Sequence, residues 1–152
     1  MSFSKAWDQR YKENTQMSVW PFSDLISYVK RYVPFVGPST SVLELGCGAG
    51  ANIPFFISLG VDYFAIEGSQ TIVGQLWKRF PELRTRIKVG DFTKEIPWET
   101  TFDLIIDRSS VTHNSTTAIK NCIVLVNNHL KKGGHFIGID WFSTKYSDYK
   151  KG

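Results

Sequence analysis

The chain has 152 residues, of which 42% are hydrophobic and 21% are charged, a balance that predicts one globular domain with its own core. Its net charge of +4 comes from mixed acidic and basic residues, so a nucleic-acid partner is not favoured. The two cysteines, Cys47 and Cys122, form no metal-ligand or redox motif, and we expect no metal site. With no apolar run of about 18 residues and no signal-peptide pattern, we expect a cytoplasmic protein without a membrane span.

The first part of the chain differs in character from the rest. Its segment FSKAWDQRYKENTQMSVWPF is too aromatic and too polar to be predicted as a plain helix. Apolar residues then recur at helical spacing from Pro21 to Val33, and a break rich in proline and glycine follows. We therefore divide the single domain into an N-terminal lid and helix, residues 1–38, packed on a core of residues 39–152.

Strands and helices alternate through the core. Strands are predicted at 41–45, 61–67, 86–91, 102–108 and 135–141. Helices are predicted at 51–59, 69–80 and about 115–132, the last ended by Gly133 and Gly134. This alternation predicts an α/β fold, with a doubly wound, mostly parallel sheet and helices on both faces. The chain stops soon after its fifth strand, so we expect a sheet that lacks its last strands.

A glycine-rich turn follows the first strand, in the segment ELGCGAGANIPFF that begins at Glu44. Glycines at this junction allow backbone groups to approach a ligand closely. Read from Gly46 to Ala51, the segment also satisfies the dinucleotide pattern G-x-G-x-x-G/A. The turn by itself therefore leaves the ligand open.

Acidic residues end several of the other predicted strands. Glu67 ends the second strand, Asp91 follows the third and Asp107 ends the fourth. Parallel sheets bind ligands at the carboxyl ends of their strands, so these side chains are expected to lie near the glycine turn. The sequence thus predicts one site built from several strand ends.

These segments together resemble class I S-adenosylmethionine-dependent methyltransferases, which have a Rossmann-like fold. ELGCGAG is similar to the family's first motif, the acid at Glu67 to its ribose-binding acid, and GDF to its adenine-binding segment. FDLIIDR and LKKGGHF are similar to the segments around its fourth and fifth strands. The resemblance covers residues 40–141 and implies S-adenosyl-L-methionine as cofactor. The cofactor-binding residues that follow from it are Glu44, Gly46, Cys47, Gly48, Asn52, Glu67, Gly68, Asp91, Phe92 and Asp107.

The resemblance implies a methyl transfer whose acceptor must be inferred from other segments. DRSSVTHN follows the fourth strand and departs from the family's Asn/Asp-Pro-Pro-aromatic signature for adenine or glutamine nitrogens. No Pro-Cys pair follows there either, which argues against methylation of cytosine. We therefore expect a small-molecule acceptor methylated at oxygen or another heteroatom. His113 is the candidate catalytic base, the alternative being a loop histidine that hydrogen-bonds locally.

Aromatic residues of the N-terminal segment are further candidates. Trp7, Tyr11 and Trp20 would contact the cofactor and exclude water if the segment folds over it as a lid, as in related enzymes for small molecules. They would instead be core residues if they pack the following helix onto the sheet. Two other functions stay open: an NAD-dependent oxidoreductase that uses the same glycines, and a non-catalytic or RNA-modifying module that binds S-adenosylmethionine.

Overall fold

The computed structural model describes residues 5–34 and 36–141, so residues 142–152 of the predicted core lie outside the described part. Within these ranges the strands are β1 Ser41–Leu45, β2 Asp62–Glu67, β3 Ile87–Val89, β4 Phe102–Arg108 and β5 Leu130–Ile139. The α-helices are α1 Lys5–Lys12, α2 Ser23–Tyr32, α3 Ile53–Ser58, α4 Gln70–Arg79 and α5 Thr116–His129. Short 3-10 helices span Pro81–Leu83 and Val111–His113. In the part of the chain that is described, no helix is both long and apolar enough to cross a bilayer.

The strands form one parallel sheet in the order β3-β2-β1-β4-β5. The chain moves outward from β1 to β3, then returns to pair β4 with the other edge of β1. Such a reversal of strand order opens a crevice beyond the carboxyl ends of the two central strands. The predicted α/β fold with a parallel, doubly wound sheet is confirmed.

The sheet is covered on both faces, and alternation along β1 shows how. Val42 packs with α2, α3 and α4, whereas its neighbour Leu43 packs in a second cluster with α5. Both residues are fully buried, as are Leu104 and Ile105 at the equivalent positions of β4. Side chains of successive strand residues point to opposite faces, so the continuous apolar runs of β1 and β4 supply both cores.

The boundary between α5 and β5 differs from the prediction. The helix ends at His129, and Leu130 already pairs with Phe102 of β4, although the helix was predicted to run to about residue 132. The pairing slips between Leu130 and His135, and Gly133 has a φ of +80° within the irregular stretch. The two glycines therefore form a bulge in β5, where left-handed backbone is needed, and do not terminate the helix.

The N-terminal segment also differs from the prediction, because Lys5–Lys12 forms helix α1. This helix is short and has few apolar residues, so its own propensity is weak. Asp8 stabilises it from outside: one carboxylate oxygen accepts the hydroxyl of Ser69 at 2.5 Å and the other lies 2.8 Å from Lys12 Nζ. The helix thus owes its position to contacts with the first turn of α4.

Candidate cofactor and acceptor site

A cavity of about 570 Å³ opens at the carboxyl ends of β1, β2 and β4, beyond the crevice between β1 and β4. Its volume lies in the range of about 300–1,000 Å³ that is typical of small-molecule sites. All of the predicted site residues except Asp107 and Trp20 line it. The sheet therefore brings together residues from separate strand ends, from the glycine turn and from α1.

The glycine turn forms the floor of this cavity. Gly46 has a φ of +68° and donates its N–H to Ile66 of β2 at 2.8 Å, which holds the turn against the sheet. A Cβ atom at Gly46 would come within 2.6 Å of the Ser110 hydroxyl, in the loop after β4. Residue 46 is a glycine because two loops approach each other closely there and the backbone is left-handed. Cys47 is buried beside it, and burial raises the pKa of its thiol, so the thiolate that a nucleophile requires is disfavoured.

Glu67 joins the end of β2 to the glycine turn. One carboxylate oxygen accepts the N–H of Gly48 at 2.9 Å and the other accepts the N–H of Ser69 at 3.0 Å. The side chain is buried, and burial raises its pKa although backbone N–H groups of Ser69, Gly48 and Gly68 oppose the shift. A carboxylate offers about four lone-pair positions, so each oxygen can accept one further hydrogen bond from a ligand.

Glu44 lies beneath the turn in a polar cluster of its own. Its carboxylate accepts from Asn52 Nδ2 at 2.8 Å and from the Tyr63 hydroxyl at 2.5 Å. Asn52 in turn accepts the N–H of Phe22 at 3.2 Å, which ties the beginning of α2 to the turn. Burial raises the pKa of Glu44 to about 7. This carboxyl is thus balanced between its neutral and its charged form near physiological pH.

Asp91 and Phe92 form the wall beyond β3. One oxygen of Asp91 accepts the N–H and the hydroxyl of Thr93, at 3.0 and 2.6 Å. The other, Oδ2, is buried without a hydrogen-bond donor among the described residues, and Lys94 Nζ lies 3.5 Å from it. A ring carbon of Phe92 lies 3.5 Å from the position that a Gly46 Cβ would take. An unmet acceptor beside an aromatic ring suits a flat ligand that carries an N–H donor.

Asp107 does not line the cavity, and its predicted contact with the cofactor is not retained. It is fully buried, and its Oδ1 accepts from the N–H groups of Ser110 and Val111, each at 3.0 Å, and from the Ser110 hydroxyl. Its Oδ2 accepts from Trp141 Nε1 at 2.7 Å. The carboxylate is therefore consumed in holding the loop after β4 and the end of β5.

Helix α1 supplies two residues to the lining of the cavity. Its Trp7 meets His113 edge-on with ring centroids 5.5 Å apart, and its Tyr11 is buried with the hydroxyl 3.0 Å from where a Gly48 Cβ would lie. Through Asp8 and Trp7 the helix spans from α4 on one side to the loop after β4 on the other. Trp20 is 79% exposed and does not line the cavity, so the structure does not place it beside a bound cofactor.

The candidate base and several unpredicted residues complete the lining of the cavity. His113 is exposed at the end of the short helix after β4 and lines the cavity beneath Trp7. Residues that the sequence did not single out line it as well: Gln16, Ser18, Phe22, Arg108, Ser109 and Asn114. The run DRSSVTHN contained part of this set, since residues that follow β4 reach the crevice directly.

A parallel sheet with a glycine turn after β1 and acids at the next two strand ends defines a Rossmann-like nucleoside-binding domain. Residues 42–134, more than half of the chain, match the sequence model of the methyltransferase domain family. The chain belongs to this family, and its cofactor is S-adenosyl-L-methionine. No curated protein sequence matches it significantly.

Solved structures agree with this membership. The glycopeptide N-methyltransferase MtfA is 25% identical over 79% of this chain and 54% of its own, with a TM-score of 0.65. Its complex with S-adenosyl-L-methionine is 27% identical over 76% of this chain and 52% of its own, with a TM-score of 0.64. Streptomyces venezuelae DesVI is 21% identical over 97% of this chain and 62% of its own, with a TM-score of 0.67, and supports the fold alone. The chain spans about half the length of the MtfA structures.

Proposed function

We propose that this protein transfers a methyl group from S-adenosyl-L-methionine to a small-molecule acceptor at a heteroatom. The observation that carries the proposal is the convergence of Glu67, the glycine turn and Asp91-Phe92 on one cavity. Each of these features alone has an ordinary structural explanation. Their position around a single cavity, in a chain of the methyltransferase domain family, fits one ligand with a ribose and an adenine.

The residues present fit that cofactor. Glu67 has a free acceptor position on each oxygen for the two ribose hydroxyls, and Asp91 Oδ2 is an unmet acceptor for an exocyclic amino group. Glu44 supplies a carboxylate near the turn for an ammonium group. Gly48 leaves space where a side chain would meet Tyr11. Glu67, Asp91, Glu44 and the turn would thus hold the nucleoside and amino-acid parts.

When bound, the cofactor supplies an activated methyl group on a sulfonium, so the protein must mainly align the acceptor and exclude water. We propose that residues 1–38 form a lid, in which Trp7 and Tyr11 of α1 exclude water from the cavity. His113 lies under Trp7 in the cavity wall and would accept the proton of an acceptor that carries one.

A nitrogen acceptor is the favoured heteroatom. MtfA, at 25–27% identity, is a glycopeptide N-methyltransferase. A geranyl diphosphate C-methyltransferase from Streptomyces coelicolor A3(2) shares the fold, at 16% identity over 76% of this chain and with a TM-score of 0.64. Sequence identity this low supports the fold alone, so we do not infer methylation at carbon from it. We keep oxygen as the second acceptor atom, and the cytoplasm as the expected compartment.

Calorimetric titration tests the cofactor and the class of activity together. S-adenosylhomocysteine should bind in the cavity with a one-to-one ratio, and NAD should not bind. Binding of NAD alone would contradict the proposal and favour the oxidoreductase.

Transfer of a labelled methyl group to primary and secondary amines, with alcohols and RNA as parallel acceptors, then tests the acceptor. Transfer to RNA alone would replace the small-molecule function. H113A should lower the rate of transfer to acceptors that lose a proton when they are methylated.

A further inference from the structure

Arg108 at the end of β4 lines the cavity, and the proposed function gives it no role. Among the described residues that line the cavity it is the one arginine or lysine, whereas Glu44, Glu67 and Asp91 are acidic. A cation in the wall of a ligand cavity commonly binds an anion, so its own partners decide whether it is free to do so.

The charge of Arg108 is already balanced by two carboxylates. Its terminal nitrogens lie 3.4 Å from Asp24 of α2 and 3.2 Å from Asp140 after β5. With two acids to one guanidinium, the cluster carries a net charge of −1. A carboxylate or phosphate on the acceptor would add a third negative charge around one cation, which is unfavourable in a partly buried place.

The hydrogen-bonding capacity of Arg108 is less well met than its charge. A guanidinium has five N–H donors, and the described residues offer acceptors only at long range, Ser109 and Asp24 each at 3.4 Å and Asp140 at 3.2 Å. Its Nε is buried and has no acceptor among these residues. The terminal nitrogens, whose acceptors are all at long range, therefore keep donor capacity for a ligand oxygen.

The orientation of the guanidinium is fixed by its surroundings. Its Cζ lies 3.8 Å from the ring centroid of Phe22, so the plane is stacked on an aromatic face. Ser109 and Asp140, which flank it, have φ values of +60° although neither is glycine, and the Ser109 hydroxyl donates to Asp140 at 2.6 Å. Strained backbone of this kind is found where a functional geometry is over-determined.

We propose that Arg108 is a specificity-determining residue that binds a neutral oxygen, such as an amide or ketone carbonyl, of the methyl acceptor and discriminates against acidic acceptors. Asp24 and Asp140 neutralise its charge, and the remaining N–H groups provide the hydrogen bond. This inference rests on the proposed function, because it assigns the acceptor class of the same cavity.

The test uses two ring compounds of matched shape, benzamide and benzoate, titrated against the protein saturated with S-adenosylhomocysteine. Benzamide should bind more tightly than benzoate. Arg108→Lys keeps the positive charge but loses the planar donors, and it should weaken benzamide binding about fivefold, the equivalent of one hydrogen bond. Asp24→Asn removes one competing carboxylate and should raise benzoate affinity relative to benzamide. Arg84→Lys is the matched control, because Arg84 is exposed, follows the 3-10 helix Pro81–Leu83 and does not line the cavity.

The outcomes separate the two proposals. Failure of S-adenosylhomocysteine to bind would overturn the proposed function itself. With the cofactor product bound, tighter binding of benzoate than of benzamide, or no binding of benzamide, would overturn the role of Arg108. A lower melting temperature of Arg108→Lys with an unchanged ratio of benzamide to benzoate affinity would show a purely structural arginine, which also overturns it.

Discussion

Glu67 at the end of β2 accepts the backbone N–H of Gly48 at 2.9 Å, so the ribose-binding candidate also holds the glycine turn in place. The same carboxylate accepts the N–H of Ser69, the N-cap of α4. One side chain thus connects three segments of the site before any ligand is present. Changes at Glu67 must therefore affect both the shape of the turn and the affinity for the cofactor.

Glu67→Ala is expected to weaken binding of S-adenosylhomocysteine by about 1.5–3 kcal/mol, the value of hydrogen bonds to a charged group. Calorimetric titration measures this loss, and thermal unfolding without ligand should show a lower melting temperature because two backbone N–H groups lose their acceptor. Glu82→Ala, at an exposed glutamate of the following 3-10 helix, should change neither quantity. Unchanged affinity in Glu67→Ala would remove the ribose assignment.

Gly48→Ala is expected to destabilise the apoprotein and the complex. Its φ of +51° costs a non-glycine residue about 1–2 kcal/mol, and the new Cβ would lie 3.0 Å from the Tyr11 hydroxyl. Tyr11→Phe removes that hydroxyl, so the double variant should recover part of the loss but not the backbone cost. Chemical denaturation of the four proteins gives the coupling energy.

Gly37→Ala is the control for this series, because nothing lies within 4 Å of a Cβ at that position. A coupling energy of zero between Gly48→Ala and Tyr11→Phe would show that α1 does not rest on the turn in solution.

Glu44 is expected to make stability depend on pH. Burial raises its pKa from 4.5 to about 7, so the folded state binds this proton more tightly than the unfolded state. The stabilisation from this proton is therefore complete below about pH 4.5. It is lost as the pH rises through 7, and the free energy of unfolding falls by on the order of 3 kcal/mol. Glu44→Gln should remove this loss, and the difference between its unfolding free energy and that of the wild type at pH 5 and pH 8 measures it.

Saturating S-adenosylhomocysteine provides a further check on Glu44. If its ammonium group lies near this carboxylate, the charged form is favoured and the loss of stability between pH 5 and pH 8 should shrink. Glu99→Gln, at an exposed glutamate, should behave as the wild type does. A wild-type curve that is parallel to that of Glu44→Gln over this range would contradict the raised pKa.

Much of the fold could be predicted because buried strands are determined by local sequence. The bounds of β1 and β4, Ser41–Leu45 and Phe102–Arg108, coincide with their apolar runs, since both faces of each strand are buried. The positions of Glu67 and Asp91 at the cavity followed as well, because parallel strands deliver their carboxyl ends to one edge.

The remaining features depend on contacts between distant residues. The end of α5 was misplaced because Leu130 pairs with Phe102, and Lys131 lies 2.8 Å from Asp103, neither of which a local pattern contains. Arg108 was passed over for the same reason. Its partner Asp24 is 84 residues away in the chain.

Asp8 is expected to control the residence of the cofactor product under α1. Its carboxylate joins this helix to the first turn of α4 through Ser69 and Thr71, and these hydrogen bonds with that of Lys12 lower its pKa, so it is charged at neutral pH. Asp8→Ala should loosen the helix and speed dissociation of S-adenosylhomocysteine, measured by stopped-flow fluorescence of the tryptophans. Amide hydrogen exchange in residues 5–12 should rise in parallel.

Glu13→Ala changes an exposed acid just beyond the same helix and should leave the dissociation rate unchanged. Equal rates in the wild type and Asp8→Ala would mean that α1 does not act as a lid.

Asp107 is expected to act on stability and not on the cofactor. Four donors from Ser110, Val111 and Trp141 converge on this buried carboxylate, so Asp107→Ala should cost at least about 3 kcal/mol of unfolding free energy. Asp107→Asn keeps one carbonyl acceptor and should fold with a smaller loss, which allows the affinity for S-adenosylhomocysteine to be measured. That affinity should stay within about threefold of the wild type, since the side chain lines no part of the cavity. Asp62→Asn, a half-exposed aspartate at the start of β2, controls for the change of charge. A folded Asp107→Asn protein with a large loss of affinity would restore the direct contact with the cofactor that the sequence had predicted.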